Sequence, residues 1–342
     1  MQMFVPSDDI NIGEIEACEI SVDLVRKVSG IQSPLRSSSP CNNSSDLFSS
    51  SFYIEQLDNS LKKLNIRYLK NAQVIWKIEQ IGSKVGEINE VYDVAISQDG
   101  VVYVAEWLNQ RIQIFDAISG CSKVIIGQNQ VQPWGITLIS DGHIAVTDEK
   151  QRTVKIFNRQ GAVSRSWKKQ QFGWPRGITC SKNKNIVLTD TQHGRHTVNV
   201  LNGEGKLIVQ FEGGGTGKIK DQFHWPRYVA TDSQNKIIVS DGANHCVKIF
   251  DKQGRYLFKF GSQGSSDGLL KHPRGVCVDQ ADNILVADHD NDRVSIFNKD
   301  GNFVRHVLNI PKPRGLALNE RGLLVVSNKS SVVLFKILDF MA

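Results

Sequence analysis

The chain has 342 residues, 40% of them hydrophobic and 22% charged, with a formal net charge of +6 and a pI near 8.9. That balance excludes a collagen-like or wholly disordered chain and supplies enough apolar material for a core without disulfide or metal staples. The mild positive charge allows a polyanionic partner without demanding one.

At the N-terminus, MQMFVPSDDINIGEIEACEI breaks every apolar run with acids, so no secretory signal is expected there. No stretch approaches the ~18 apolar residues of a membrane helix, and a cytoplasmic location is expected. Residues 1–70 read as a leader with its own texture. SPLRSSSPCNNSSDLFSSS is dominated by Ser, Asn and Pro and predicts disorder. The following FYIEQLDNSLKKLNIRYL predicts a short amphipathic helix. The six cysteines, Cys18, Cys41, Cys121, Cys180, Cys246 and Cys277, are scattered with no Cys-x-x-Cys pair. Zinc ribbons and RING sites need closely paired ligands, so neither is expected, and the thiols fit a reducing compartment.

From residue 71 to 342 short apolar runs alternate with Gly, Asn and Asp turns, the pattern of strands. Six segments align: VYDVAI from Val91, PWGITL from Pro133, PRGITC from Pro175, PRYVAT from Pro226, PRGVCV from Pro273 and PRGLAL from Pro313. Each leads to a second strand (VVYVAE, HIAVTD, NIVLTD, KIIVSD, NILVAD, LLVVSN) and a third (RIQIFD, TVKIFN, TVNVLN, CVKIFD, RVSIFN, SVVLFK). In four repeats a Gly turn then predicts a fourth strand. The period is 40 to 51 residues, read between anchors at 93, 135, 177, 228, 275 and 315. Four strands per period describe a propeller blade. The last repeat lacks a fourth strand, while VIWKIEQIG at 74–82 resembles YLFKFGSQG and stands alone before the first repeat. The expected fold is an all-β, six-bladed propeller closed by that N-terminal strand, which removes an exposed sheet edge.

The run Pro-x-Gly-[Val/Ile]-x-[Val/Leu], Asn-Ile-x-Val-[Ala/Thr]-Asp, Asn-x-x-Val-x-Ile-Phe resembles the NHL repeat over residues 72–338. GSQGSSDGLLKHPRGV and NHCVKIFDKQGRYLFKFG resemble the tripartite-motif (TRIM-NHL) branch. The resemblance implies a C-terminal recognition propeller behind RING, B-box and coiled-coil segments. Without zinc-binding pairs or heptads here, ligase activity does not carry over, although association with ubiquitin-ligase assemblies remains implied.

A residue type found at one place in every blade is expected to be architectural. The second strand ends in Asp148, Asp190, Asp241 and Asp288, with Glu106 and Asn328 in the other blades. Short acceptors of this kind are expected to hold the following turn. Phe115, Phe157, Phe250, Phe297 and Phe335, with Leu201 in blade three, are expected to fill space between blades.

The position after the repeated Pro varies, and reads Tyr92, Trp134, Arg176, Arg227, Arg274 and Arg314. Two residues earlier stand Glu90, Gln132, Trp174, Trp225, His272 and Lys312. The first strand of a blade lines the central channel, so these loops are expected to form a ring on one face. Three readings fit it. Guanidiniums that grip phosphates and planes that stack on bases suit single-stranded RNA, and some TRIM-NHL propellers bind RNA through this face. The same residue types suit an acidic protein segment. In a purely structural reading, each Arg pairs with a carboxylate of a neighbouring loop. No DNA specificity is implied.

Catalysis is not expected, and neither a metal nor another cofactor is. The eight histidines do not repeat at one blade position, whereas a channel zinc needs about three converging ligands. DHDND at 288–292 lacks the glycine and terminal Glu of an EF-hand and reads as a variant of the DGANH turn. GGGTGK at 213–218 is placed in a turn joining blades rather than before a helix. There is no Gly-x-Ser-x-Gly elbow.

Overall fold

The computed structural model describes residues 66–139, 142–168, 172–192, 195–213 and 222–340. The expected Ser-rich leader, most of the expected helix and nearly all of GGGTGK lie outside them. Six four-stranded antiparallel sheets account for all of the named strands. Blade one is β2 (Val91–Ile96), β3 (Val101–Glu106), β4 (Arg111–Asp116) and β5 (Ser122–Ile126). Blade two is β6 (Pro133–Leu138), β7 (Ile144–Asp148), β8 (Thr153–Phe157) and β9 (Val163–Lys168). In blade three the strands are β10 (Pro175–Cys180), β11 (Ile186–Gln192), β12 (Arg195–Leu201) and β13 (Leu207–Phe211). Blade four comprises β14 (Pro226–Thr231), β15 (Ile237–Asp241), β16 (Cys246–Phe250) and β17 (Tyr256–Phe260). Blade five follows with β18 (Pro273–Val278), β19 (Ile284–Asp288), β20 (Arg293–Phe297) and β21 (Phe303–Asn309).

Blade six is β22 (Leu316–Leu318), β23 (Leu323–Ser327) and β24 (Val332–Phe340), completed by β1 (Ile66–Ile78). The N-terminal strand therefore closes the ring, pairing antiparallel with β24 from Ile66 opposite Phe340 to Ile78 opposite Val332. It starts earlier than 74, and Ile66–Leu69, expected to end a helix, are strand because the free edge of β24 supplies backbone partners for them. Trp76 of β1 also reaches past its own sheet. Its indole donates to the Ala117 carbonyl of blade one at 3.0 Å. Among the described residues no helix is long and apolar enough to cross a membrane.

Strand position explains the sequence pattern. Middle strands are covered on both faces by neighbouring blades, so β7, β8, β15, β16, β19 and β20 are buried throughout. They read as continuous apolar runs with a few polar residues. The outer strand β17 alternates exposed and covered positions, because only one face packs. The core is divided among the blade interfaces. In one, Val187, Val198 and Val200 of blade three meet Val229, Val239 and Phe250 of blade four. Phe115, Phe157, Phe250 and Phe297 are buried between blades, as is Leu201. The inner strands β2, β6, β10, β14, β18 and β22 each contact the next, and β22 contacts β2, making a closed ring about the axis.

Candidate recognition face

The loop that enters each inner strand carries the ring residues, and three local features set its shape. First, adjacent inner strands approach closely at this rim. A Cβ at Gly177 would lie 2.6 Å from the Arg227 carbonyl oxygen, and one at Gly275 would lie 2.3 Å from that of Arg314. Glycine is required there by the approach of another backbone. Second, Glu90, Trp225, His272 and Lys312 adopt left-handed φ of 51°, 62°, 48° and 45°. That region is uncommon for such side chains. Trp225, His272 and Lys312 are exposed on the face.

Third, the carboxylate ending the second strand ties down the incoming loop. Asp241 accepts the His224 N–H at 2.7 Å, Asp288 accepts that of Lys271 at 2.7 Å, and Glu106 accepts that of Asn89 at 3.2 Å. The expectation that this carboxylate holds the turn after it is therefore only partly right. In Asp148 it does reach forward, to the Gln151 N–H at 3.1 Å.

A buried cation from the third strand, not evident in the sequence, completes this latch. Lys248 pairs with Asp241 at 2.8 Å, Arg293 with Asp288 at 2.8 Å, Arg111 with Glu106 at 2.9 Å and Lys155 with Asp148 at 2.9 Å. The cation is an Arg at the first strand position or a Lys at the third. Residues two apart share one face of a strand, so either reaches the same place. The remaining donors hold carbonyls of the loop: Lys248 binds the Gln222 carbonyl at 2.9 Å, and Arg293 binds that of Leu269 at 3.0 Å. In blade three β12 offers Asn199 instead of a cation, and burial pushes the Asp190 carboxyl upward despite two bonds from the Gly173 N–H.

On this frame the ring forms, but its members differ in character. Arg176 pairs with Glu149 at 3.3 Å and donates to the Thr191 hydroxyl at 2.7 Å. Arg314 pairs with Glu90 at 3.3 Å. Arg227 and Arg274 have no ion pair among the described residues. Burial, reinforced by Arg274 and Arg176, pushes the Arg227 guanidinium down to about 10. Burial, with Arg314 adding to it, lowers Arg274 as well. Two like charges are therefore held partly desolvated without a direct ion pair, which lowers the stability of their charged forms. The structural reading thus describes two of the four arginines and leaves the other two open.

The aromatic members separate into floor and rim. Trp134 is fully buried and does not reach the surface expected of it, because the Arg176 guanidinium lies over its ring at 5.4 Å. Tyr92 is half-buried beneath Arg314, at 4.9 Å. Tyr92, Trp134 and Tyr228 pack in a tilted series with centroid distances of 5.4 and 4.8 Å, filling the channel under the ring. Trp225 stands at the rim, 37% exposed, with Arg176 and Arg227 each 5.8 Å from its centroid. Trp174 is half-buried, and Lys312 pairs with Asp290 at 3.1 Å.

The structure also gathers histidines that are scattered along the sequence. His196 lies 6.4 Å from His224 and 5.6 Å from Trp225, and His245 lies 4.3 Å from His272, centroid to centroid. His245 and His289 belong to turns between second and third strands, where DGANH and DHDND form equivalent 3-10 turns capped by His245 and Asp292 at φ 54°. In an up-and-down sheet those turns emerge on the same face as the loop entering the first strand. A cavity of about 420 Å³ opens there, its lining including Trp225, Arg227, His272, Arg274, His289 and Asp290.

The axis opens to a second cavity, of about 230 Å³, on the far side of the aromatic plug, lined in part by Asp93, Thr137, Thr231 and Cys277. Asp93 replaces the rim glycine in blade one. It accepts the Ile136 N–H at 3.1 Å, and burial pushes its carboxyl up to about 8. Among the described residues no group of three or more His, Cys, Asp or Glu could hold a metal ion.

Fold and rim together define a six-bladed propeller with one cationic, aromatic face. The NHL repeat family matches residues 223–250 and 270–297, the inner three strands of blades four and five. The chain is a six-bladed β-propeller that carries NHL repeats in blades four and five. It is similar to Protein brain tumor of Drosophila melanogaster, 45% identical over 65 residues that make up 19% of this chain and 6% of that protein. It is also similar to E3 ubiquitin-protein ligase NHLRC1 of Homo sapiens, 32% identical over 114 residues covering 32% of this chain and 29% of that one. The matches thus span under a third of either relative. Among solved structures, a gluconolactonase from Xanthomonas campestris has a TM-score of 0.60 at 14% identity, covering 81% of this chain and 91% of that one. Virginiamycin B lyase from Staphylococcus aureus gives 0.55 at 13%, covering 80% and 99%. These likenesses establish the fold alone.

Proposed function

We propose that the propeller is a recognition module whose arginine face binds single-stranded RNA in post-transcriptional regulation. The observation that carries this reading is the pair Arg227 and Arg274, desolvated and without a carboxylate partner, beside the exposed ring of Trp225. A phosphate relieves the repulsion between the guanidiniums, and a base stacks on Trp225, an interaction worth about 1–3 kcal/mol. The test is a fluorescence-anisotropy titration of single-stranded RNA against salt. Replacing both Arg227 and Arg274 by Gln is expected to weaken binding at least tenfold. It should also reduce the log–log salt slope by about 1.4, at roughly 0.7 for each phosphate no longer neutralised. Absence of salt-dependent RNA binding by the wild-type chain would falsify the proposal.

An acidic protein segment is the second reading, supported by the similarity to a human protein named as an E3 ubiquitin-protein ligase. A poly-glutamate peptide that displaces RNA at equal concentration would favour it.

A further inference from the structure

The cavity between blades four and five carries more than positive charge. His289 is buried in its wall, and its Nδ1 lies 2.9 Å from the Pro313 carbonyl oxygen. A carbonyl oxygen only accepts, so Nδ1 carries the proton and Nε2 presents a lone pair. Asp290 Oδ1 lies 3.8 Å from Nε2, but it is itself an acceptor. Asp290 is already engaged by Lys312 at 3.1 Å and by His272 at 2.5 Å. His289 Nε2 therefore has no donor among the described residues. Burial and the nearby Arg274 push the imidazole down to about 4, so it stays a neutral acceptor at physiological pH.

A cavity with guanidinium donors on one wall and, beside the engaged Asp290 carboxylate, a neutral acceptor without a donor on another does not match a bare phosphodiester, which has no hydrogen to give. It matches a phosphate with a hydroxyl donor beside it. In RNA the 2′-hydroxyl and the 3′-phosphate sit on neighbouring ribose carbons, and DNA lacks the hydroxyl. Resting on the RNA reading above, we propose that His289 Nε2 accepts a hydrogen bond from the ribose 2′-hydroxyl of the nucleotide whose phosphate is held by Arg227 and Arg274. The pocket thereby reads the sugar as well as the charge.

The test compares matched randomised 12-mer pools, one of ribonucleotides and one of 2′-deoxynucleotides with deoxyuridine in place of thymidine, by anisotropy against the full chain. The wild type should prefer the ribo pool by about tenfold, the scale of one hydrogen bond to an otherwise unpaired buried group. His289→Leu should bring the two pools within about twofold. His289→Gln, whose amide can both donate to Pro313 and accept, should keep the preference. A 2′-O-methyl pool gives an independent reading in the wild type, since it loses the donor without changing the rest of the ribose, and should bind as weakly as the deoxy pool. Equal wild-type binding of ribo and deoxy pools, tight binding of the 2′-O-methyl pool, or an undiminished preference in folded His289→Leu would each overturn the sugar reading and leave RNA binding intact. If neither pool binds, both proposals fall together.

Discussion

The Tyr228 hydroxyl in blade four donates a hydrogen bond to the backbone carbonyl of Tyr92 in blade one, directly across the propeller axis. β2 neighbours β6 and β22, whereas β14 neighbours β10 and β18, so the two blades stand opposite each other. Tyr228 occupies the rim position that is glycine in four blades, and with Trp134 it forms the floor on which the arginine ring rests. Tyr228→Phe removes the donor and leaves a shielded carbonyl short of a partner, a cost of about 1–2 kcal/mol. A melting temperature lower by a few degrees, with the blade structure unchanged by circular dichroism, is the expected outcome.

Asp93 makes stability depend on pH. Its carboxyl titrates near the ordinary aspartate value of 3.8 when unfolded and is raised to about 8 in the fold by burial. Between these values the native state holds one proton more than the unfolded state, so stability falls as pH rises and levels off above about 8. Urea denaturation across pH 5 to 8 should show the decline, with a contribution of up to roughly 4 kcal/mol from this group over that window. Asp93→Asn keeps an acceptor for the Ile136 N–H and should flatten that part of the profile, gaining stability at the alkaline end.

The buried latch between Asp241 and Lys248 offers a separate check. Both side chains are essentially inaccessible. Lys248→Met strands a carboxylate and frees the Gln222 carbonyl, which should destabilise the fold by about 3–5 kcal/mol. Replacing Asp241 and Lys248 together with Asn and Met should cost much less than the single Lys248 change, because no buried charge is left alone. A double-mutant cycle from denaturant midpoints measures the difference.

Closure by β1 predicts the effect of truncation. Removing residues 1–79 uncovers the edge of β24 and deletes Trp76, whose indole bridges to Ala117. An open sheet edge invites pairing between chains. The truncated chain is expected to aggregate or to lose its single cooperative unfolding transition, as followed by light scattering and thermal melting.

Much of this was legible without coordinates. Blade number, the inner-strand position of the Pro-x-Gly segments and closure by the N-terminal strand follow from a strand pattern repeated six times, and the repeat itself separates architectural residues from variable ones. The candidate site was legible in outline, as a ring. Its chemistry was not. Trp134 and Trp225 both read as ring aromatics, at neighbouring repeat positions, yet one is sealed beneath Arg176 and the other stands 37% exposed at the rim. The cation of the latch was hidden because Arg at one strand position and Lys two residues later do not align as letters, though they reach the same space.

The sequence by itself determined the architecture, because strand periodicity, turn residues and close-approach glycines are local properties that each blade states again. Only the tertiary structure decided which arginines are paired, since Arg176 meets Glu149 and Arg314 meets Glu90 across loops of different blades while Arg227 and Arg274 make no ion pair among the described residues. Charge compensation depends on distances between side chains far apart in the chain, and those distances exist only once the ring has closed.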